Sequence, residues 1–145
     1  MELKESGEMY LATVYVLTQE RGAVRSVDVA KRMGFSGASV CRAMRLLQDG
    51  GYIYQNKNKH LLLTETGEAL ARMLCARHAT LVSFLRTIGV SESAAAEDAC
   101  RLEHYLSDET FRAIGRLLDE LTAGASLPGE NIPAVSAQQA PPREA

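Results

Sequence analysis

Between Gly22 and Thr64 the chain is punctuated so closely that few folds accommodate it. Ser26 reads as an N-cap before a short helix over 27–33, which Gly34 closes. Ser36 caps the next helix, in which Val40, Ala43, Met44 and Leu47 stand at i, i+3, i+4 and i+7 as a full apolar stripe until Gly50-Gly51 stops it. Two short helices joined by a Gly-containing turn have the shape of a helix-turn-helix. Directly after them, Tyr52-Ile53-Tyr54 and Leu61-Leu62-Leu63 read as short strands around a polar tip over 55–60 that carries Lys57 and Lys59. A hairpin with a cationic tip behind a helix-turn-helix is the layout of a winged helix. An ordinary hairpin on a small α+β domain competes, and the order of elements favours the winged helix.

The flanks are helical. Residues 9–19 carry Leu11, Val14, Tyr15 and Leu17 at helical spacing, ended by Gly22. Thr64 reads as a cap, with Glu65 and Glu68 in the first turn, where the helix dipole favours anions. Leu70, Leu74, His78, Leu81 and Leu85 then form one stripe of a long helix ending near Gly89. Ser91 opens a helix to about Leu106, and Ser107-Asp108-Glu109 opens another with Phe111, Ile114, Leu118 and Leu121 on one face. The expected fold is mostly α with a small β-hairpin wing, divided into a winged helix-turn-helix over 1–64 and a helical domain over 65–124. All four prolines lie beyond Gly124, and 125–145 is expected to be a disordered tail.

Composition narrows the setting. No run approaches ~20 apolar residues, so no transmembrane helix is expected. The charged start, Met1-Glu2-Leu3-Lys4-Glu5, has no apolar core of a signal peptide. Cys41, Cys75 and Cys100 are odd in number and far apart, which excludes a full disulfide framework and fits a reducing compartment. A soluble, cytoplasmic protein is expected.

A net charge of −2 by itself argues against a nucleic-acid binder. Its distribution argues otherwise. From Arg21 to Thr64 eight Lys/Arg face two acids, a net of +6, whereas from Glu65 to Gly124 six Arg face ten acids, a net of −4. Opposite the Val40/Met44/Leu47 stripe, the candidate reading helix exposes Ser36, Ser39, Arg42 and Arg45, with Cys41 near its start. Arg42 suits guanine O6/N7, the serines suit phosphates or base edges, and Lys57 and Lys59 suit phosphates. Each is also an ordinary solvated side chain taken singly. Together, on this scaffold, they point to double-stranded DNA.

The second half holds polar residues that an apolar bundle would not select. Cys100, Glu103 and His104 stand at i, i+3 and i+4, so their side chains share one face about 5–6 Å apart. Thiolate, carboxylate and imidazole chelate divalent transition metals, and His78 could add a fourth donor from the neighbouring helix. The same spacing occurs in surface Glu–His pairs, and a histidine on an apolar stripe is commonly a satisfied core residue. Spacing alone leaves both readings open.

The chain resembles the diphtheria-toxin-repressor family of iron- and manganese-dependent transcriptional repressors. The resemblance runs from Glu8 to Leu121 through Tyr10-Leu11-Ala12-Thr13-Val14-Tyr15, Ser36-Gly37-Ala38-Ser39-Val40, Asp49-Gly50-Gly51-Tyr52-Ile53, Leu63-Thr64-Glu65-Thr66-Gly67, Arg77-His78, Phe84-Leu85-Arg86-Thr87-Ile88-Gly89-Val90 and the most specific segment, Cys100-Arg101-Leu102-Glu103-His104 followed by Ser107-Asp108-Glu109. It implies an N-terminal winged helix and a helical metal-binding and dimerisation domain, of the short type without an SH3-like third domain.

By that resemblance the metal ligands are Met9, Cys100, Glu103 and His104, with His78 serving a second or paired ion. Met9 and Cys100 match positions that are Met and Cys in iron-type members and Asp and Glu in manganese-type members. Ala12 stands where manganese-type members carry a Glu ligand, and Val82 and Ala96 stand where the iron-type second site has Glu and His. One well-formed site is therefore expected; Glu8 or Glu97 are nearby acids that could substitute. Thioether and thiolate are softer than two carboxylates and lean the site toward Fe(II), with Mn(II) possible. The implied protein is a non-enzymatic, metal-dependent repressor: a homodimer on a DNA operator, with Phe111, Ile114, Leu118 and Leu121 on the dimer seam or packed within the chain. The alternatives are a winged-helix regulator that senses an organic ligand or an oxidant through cysteine, and a small metalloenzyme using Glu103 as base.

Overall fold

The structure, a computed structural model, describes residues 3–123. The chain runs α1 (Glu5–Arg21), α2 (Ser26–Met33), α3 (Gly37–Asp49), β1 (Ile53–Gln55), β2 (Leu61–Leu63), α4 (Glu65–Thr87), α5 (Glu92–Tyr105) and α6 (Asp108–Thr122). The expected fold class is observed: α2 and α3 form the helix-turn-helix, and β1 and β2 pair antiparallel in the register Ile53↔Leu63, Tyr54↔Leu62, Gln55↔Leu61. The Leu61 N–H donates to the Val24 carbonyl at 2.7 Å, which hooks the hairpin onto the segment before α2. The expected tail over 125–145 lies outside the described residues.

One apolar cluster organises the first half. Leu11, Val14 and Leu17 of α1 meet Val29 of α2, Val40, Met44 and Leu47 of α3, and Ile53 and Leu61 of the hairpin, all buried. Fully burying such side chains contributes about 1.5–3 kcal/mol each. Helix α4 spans both halves. Its Ala71 joins this cluster, while Leu74 and Leu81 are buried farther along. On α5 the buried apolar residues are Ala95 and Ala99, whose small side chains let it lie close against α4.

Several local expectations are refined. Ser26 is the first residue of α2 rather than its cap; the start is held by the Asp28 carboxylate, which accepts from the Arg25 N–H at 2.9 Å. Helix α1 begins at Glu5, so Met9 lies one turn inside it. Ser36, Thr64, Ser91 and Ser107 cap α3, α4, α5 and α6 through their hydroxyls. Nothing on α6 is buried: Phe111, Ile114, Leu118 and Leu121 are half-buried and Leu117 is 44% exposed. Arg77 of α4, only 11% exposed at its side chain, steadies this end: it donates to the Leu106 carbonyl at 3.2 Å, pairs with Asp108 and lies over the Phe111 ring.

The junction between wing and α4 explains one glycine. Thr64 donates its N–H to the Tyr52 carbonyl at 3.0 Å and its hydroxyl to the Gly51 carbonyl at 2.6 Å, drawing the start of α4 against that backbone. A Cβ on Gly67 would sit 1.8 Å from the Tyr52 carbonyl oxygen. Gly67→Ala is expected to lower stability by about 1–3 kcal/mol or more. Gly37→Ala, where an added Cβ meets nothing within 4 Å, is expected to be neutral or slightly stabilising. Urea midpoints of the two variants check this; equal midpoints would contradict the close approach.

Candidate metal centre and nucleic-acid interface

Helix α1 has two working faces. Leu11, Val14 and Leu17 enter the core. Glu5, Glu8, Met9 and Ala12, at i, i+3, i+4 and i+7, occupy the opposite side and look toward α5. A cleft of about 600 Å³ opens there, lined by Met9, Ala12, Thr13 and Val16 of α1, Arg32 of α2, Cys75 and His78 of α4, and Cys100 and Glu103 of α5. Met9, His78 and Cys100 also border an adjoining cleft with Glu5 and Glu97.

Glu103 stands at the centre. Its side chain is 7% exposed, and its two oxygens face two imidazoles: Oε2 lies 3.0 Å from His78 Nδ1, and Oε1 lies 3.3 Å from His104 Nε2. Burial pushes its carboxyl above the ordinary carboxylate range, more than His78 and His104 pull it down. Burial and the Glu103 charge also push the Cys100 thiol up. A cation binding here would therefore displace protons.

His104 is the most informative residue. Its side chain is 1% exposed, and its Nδ1 lies 2.7 Å from Glu8 Oε2. A carboxylate accepts from an imidazole N–H, so this contact suits a proton on Nδ1 and turns Nε2 toward Glu103. Nε2 is out of hydrogen-bond alignment with Glu103 and, among the described residues, is a buried side-chain polar atom without a partner. Metal-binding imidazoles are commonly held this way, with one ring nitrogen donating to a carboxylate and the other aimed at the ion. Thioether, thiol, carboxylate and such an imidazole together fit a divalent transition metal.

The donors surround the site without converging. Among the described residues, no group of three or more His, Cys, Asp or Glu is set to hold an ion. The reason is visible: Glu103 Oε2 is engaged by His78 Nδ1 at 3.0 Å instead. His104 is packed behind the cleft, whereas Met9, His78, Cys100 and Glu103 line it. Glu8 pairs with His104, and Tyr105 donates to Glu5, so α1 is laced to the end of α5. Cys75 was not among the donors expected from the sequence; its signal was the Cys75/His78 spacing of i, i+3 on α4.

At the other end, Ser36, Ser39, Cys41, Arg42 and Arg45 are all exposed on or beside α3. Ser36 is used structurally, since its Oγ accepts from the Ser39 N–H at 3.2 Å and donates to Ser39 Oγ at 2.9 Å. Arg42 and Arg45 share a face and make no ion pair among the described residues. On the wing, Asn56 Oδ1 accepts from the N–H groups of Asn58 and His60 at 3.0 and 2.9 Å, which braces a tip that exposes Lys57 and Lys59. Among the described residues, no helix is long and apolar enough to cross a membrane.

Comparison with known proteins agrees with this division of labour. Residues 2–61 match the family described as iron dependent repressor, N-terminal DNA binding domain, and residues 64–126 match its metal binding and dimerisation domain. The HTH-type transcriptional regulators MntR of Bacillus pumilus and Geobacillus kaustophilus are each 34% identical over 113 residues, which is 78% of this chain and 78% and 80% of theirs. Among solved structures, the manganese regulator SloR is 25% identical with a TM-score of 0.71 over 82% of this chain. The metal-dependent transcriptional regulator MtsR is 27% identical with a TM-score of 0.73 over 78% of it. This chain spans 55% and 53% of those two solved chains, about half their length. The chain belongs to the iron-dependent repressor family of metal-dependent, DNA-binding transcriptional repressors.

Proposed function

We propose that this chain acts in the cytoplasm as a homodimer that grips a DNA operator when a divalent metal is held by Met9, Cys100, Glu103 and His104, with His78 at the edge of the site. The observation that carries the reading is the buried, unpartnered Nε2 of His104, oriented by Glu8 and facing the Glu103 carboxylate. When bound, the cation supplies a link between soft and hard donors on different helices. Met9 belongs to α1, whose far face packs with α3; Cys100, Glu103 and His104 belong to α5. Holding α1 against α5 therefore holds α3 against residues 65–124, the dimer-forming part, with 1–64 as the reading part.

The half-buried face of Phe111, Ile114, Leu118 and Leu121 on α6 supplies the seam of the dimer. A dimeric reader needs its recognition helices about 34 Å apart, or a multiple of that, so fixing their spacing raises operator affinity. Metal and DNA binding are then reciprocally coupled, typically by about 1–3 kcal/mol. Arg42 and Arg45 address base edges with Ser39 and Cys41 beside them, Ser36 shapes the start of the helix, and Lys57 and Lys59 address phosphates. No residue has a catalytic role. The solved relative SloR is a manganese regulator. Here the Met9 thioether and Cys100 thiol favour Fe(II), and zinc, cobalt and nickel bind at least as well in vitro by the Irving–Williams order.

The deciding measurement is operator binding by the reduced, full chain titrated anaerobically with Fe(II), Mn(II) and Zn(II). Affinity rises with metal, and Cys100→Ala abolishes the rise while keeping the helical spectrum; equal affinity with and without metal overturns the switch, and turnover without DNA binding favours an enzyme. Glu8→Gln is expected to weaken metal binding about 10–100-fold by loosening His104, as loss of a carboxylate behind a metal-binding histidine typically does. Unchanged affinity in calorimetry would remove Glu8 from that role. Arg42→Ala is expected to cost about 1–3 kcal/mol of operator preference while leaving metal affinity of the DNA-free protein unchanged; retained preference in a competition assay means that α3 is docked differently.

A further inference from the structure

Cys75 is a donor beside the site to which neither the family resemblance nor the proposed switch gives a role. It lies on α4 three residues before His78, so the two share a face. On α5, Cys100 and Glu103 repeat the same spacing. All four side chains line the one cleft that Met9 closes from α1. The α1 wall opposite has Ala12, Val16 and Thr13, whose hydroxyl is spent on the Met9 carbonyl at 2.9 Å, and Arg32 of α2 borders the same cleft.

Packing alone does not account for Cys75. The buried apolar residues of α4 are Ala71, Leu74 and Leu81, while Cys75 is half-buried, unbridged and turned to the cleft. Its thiol is near enough to Glu103 for that negative charge, added to burial, to push it up, as happens to Cys100. Two thiols on two helices thus stand around one carboxylate.

We infer that Cys75 is a second sulfur ligand of the metal site, so that Cys75 of α4 closes on the same ion as Cys100 and Glu103 of α5, with His78 at its edge. This rests on the proposed metal switch and sharpens it. On binding, each thiol releases its proton to solvent and coordinates as thiolate. A site with two thiolates disfavours manganese, which prefers oxygen donors, and favours iron, cobalt and zinc. Cys75 would then set which cation the protein answers to.

The test uses Co(II), whose thiolate complexes absorb in the near ultraviolet in proportion to the number of Co–S bonds. The reduced full chain is titrated anaerobically as wild type, Cys75→Ser and Cys100→Ser. Cys75→Ser and Cys100→Ser are each expected to lose about half of the wild-type charge-transfer intensity, with Cys75→Ser also narrowing the preference for Co(II) over Mn(II). Full intensity in Cys75→Ser overturns the inference while Cys100→Ser still reports on the ligand set; full intensity in both overturns the ligand set itself. A second measurement needs no variant. Alkylation of the wild-type protein, followed by mass spectrometry, is expected to show Co(II) protecting Cys75 and Cys100 but not the exposed Cys41. Equal labelling of Cys75 with and without Co(II) overturns the inference even if Cys75→Ser fails to fold.

Discussion

A carboxylate buried between two imidazoles is the constraint on which the second half depends. Among the described residues Glu103 is a buried charged residue, one turn beyond the buried Ala95 and Ala99 on the same face of α5. Burying an unpaired charge is costly enough that a group usually neutralises instead. Here His78 and His104 flank both oxygens, and burial still leaves the carboxyl easier to protonate than an exposed one. A purely structural residue at this position would be a leucine, which would pack on Ala95 and Ala99 without electrostatic cost. A polar triad that is only partly satisfied fits a site arranged around a charge that comes and goes.

The two faces of α1 connect that site to the DNA-reading half. A helix is stiff over the turns that separate Met9 from Leu17, and tightly packed interiors transmit small displacements rather than absorbing them. The apolar face is locked to α3 through buried contacts, and the polar face meets α5 through Glu8–His104 and Glu5–Tyr105. Side-chain hydrogen bonds at the edge of a helix are weaker than a buried apolar seam. The seam between α1 and α3 is therefore the firmer of the two.

Much of this is legible in the sequence. Val40, Met44 and Leu47 announce the buried face of α3, and Ser36, Thr64 and Ser107 announce their helices, because caps and apolar stripes are local signals. The i, i+3, i+4 spacing of Cys100, Glu103 and His104 is equally local. Contacts between distant parts of the chain are less so. That Asp28, not Ser26, secures the start of α2 depends on a carboxylate reaching back to the Arg25 N–H. That Glu8 orients His104 across 96 positions, or that Gly67 is required by the Tyr52 carbonyl, follows from how helices meet and has no periodic signature. Cys75 is hidden because it sits beside Leu74 on a helix whose dominant pattern is an apolar stripe, and only the approach of α5 gives its thiol a polar neighbour.

Charge shows why position matters more than total. Of the cations that make the first half basic, Arg21 and Arg32 are paired with Asp28 and Glu20, fastening α1 to α2 rather than awaiting a ligand. Arg42 and Arg45 on α3 and Lys57 and Lys59 on the wing carry no ion pair among the described residues. Each phosphate neutralised adds about −0.9 to the slope of log affinity against log salt. The exposed cations of α3 and the braced wing tip are thus left unneutralised by the chain's own acids, as are Arg25 and Lys31 among the described residues. The acidic second half is carried by other helices, α4 to α6, so a net negative chain and a DNA-binding one are compatible.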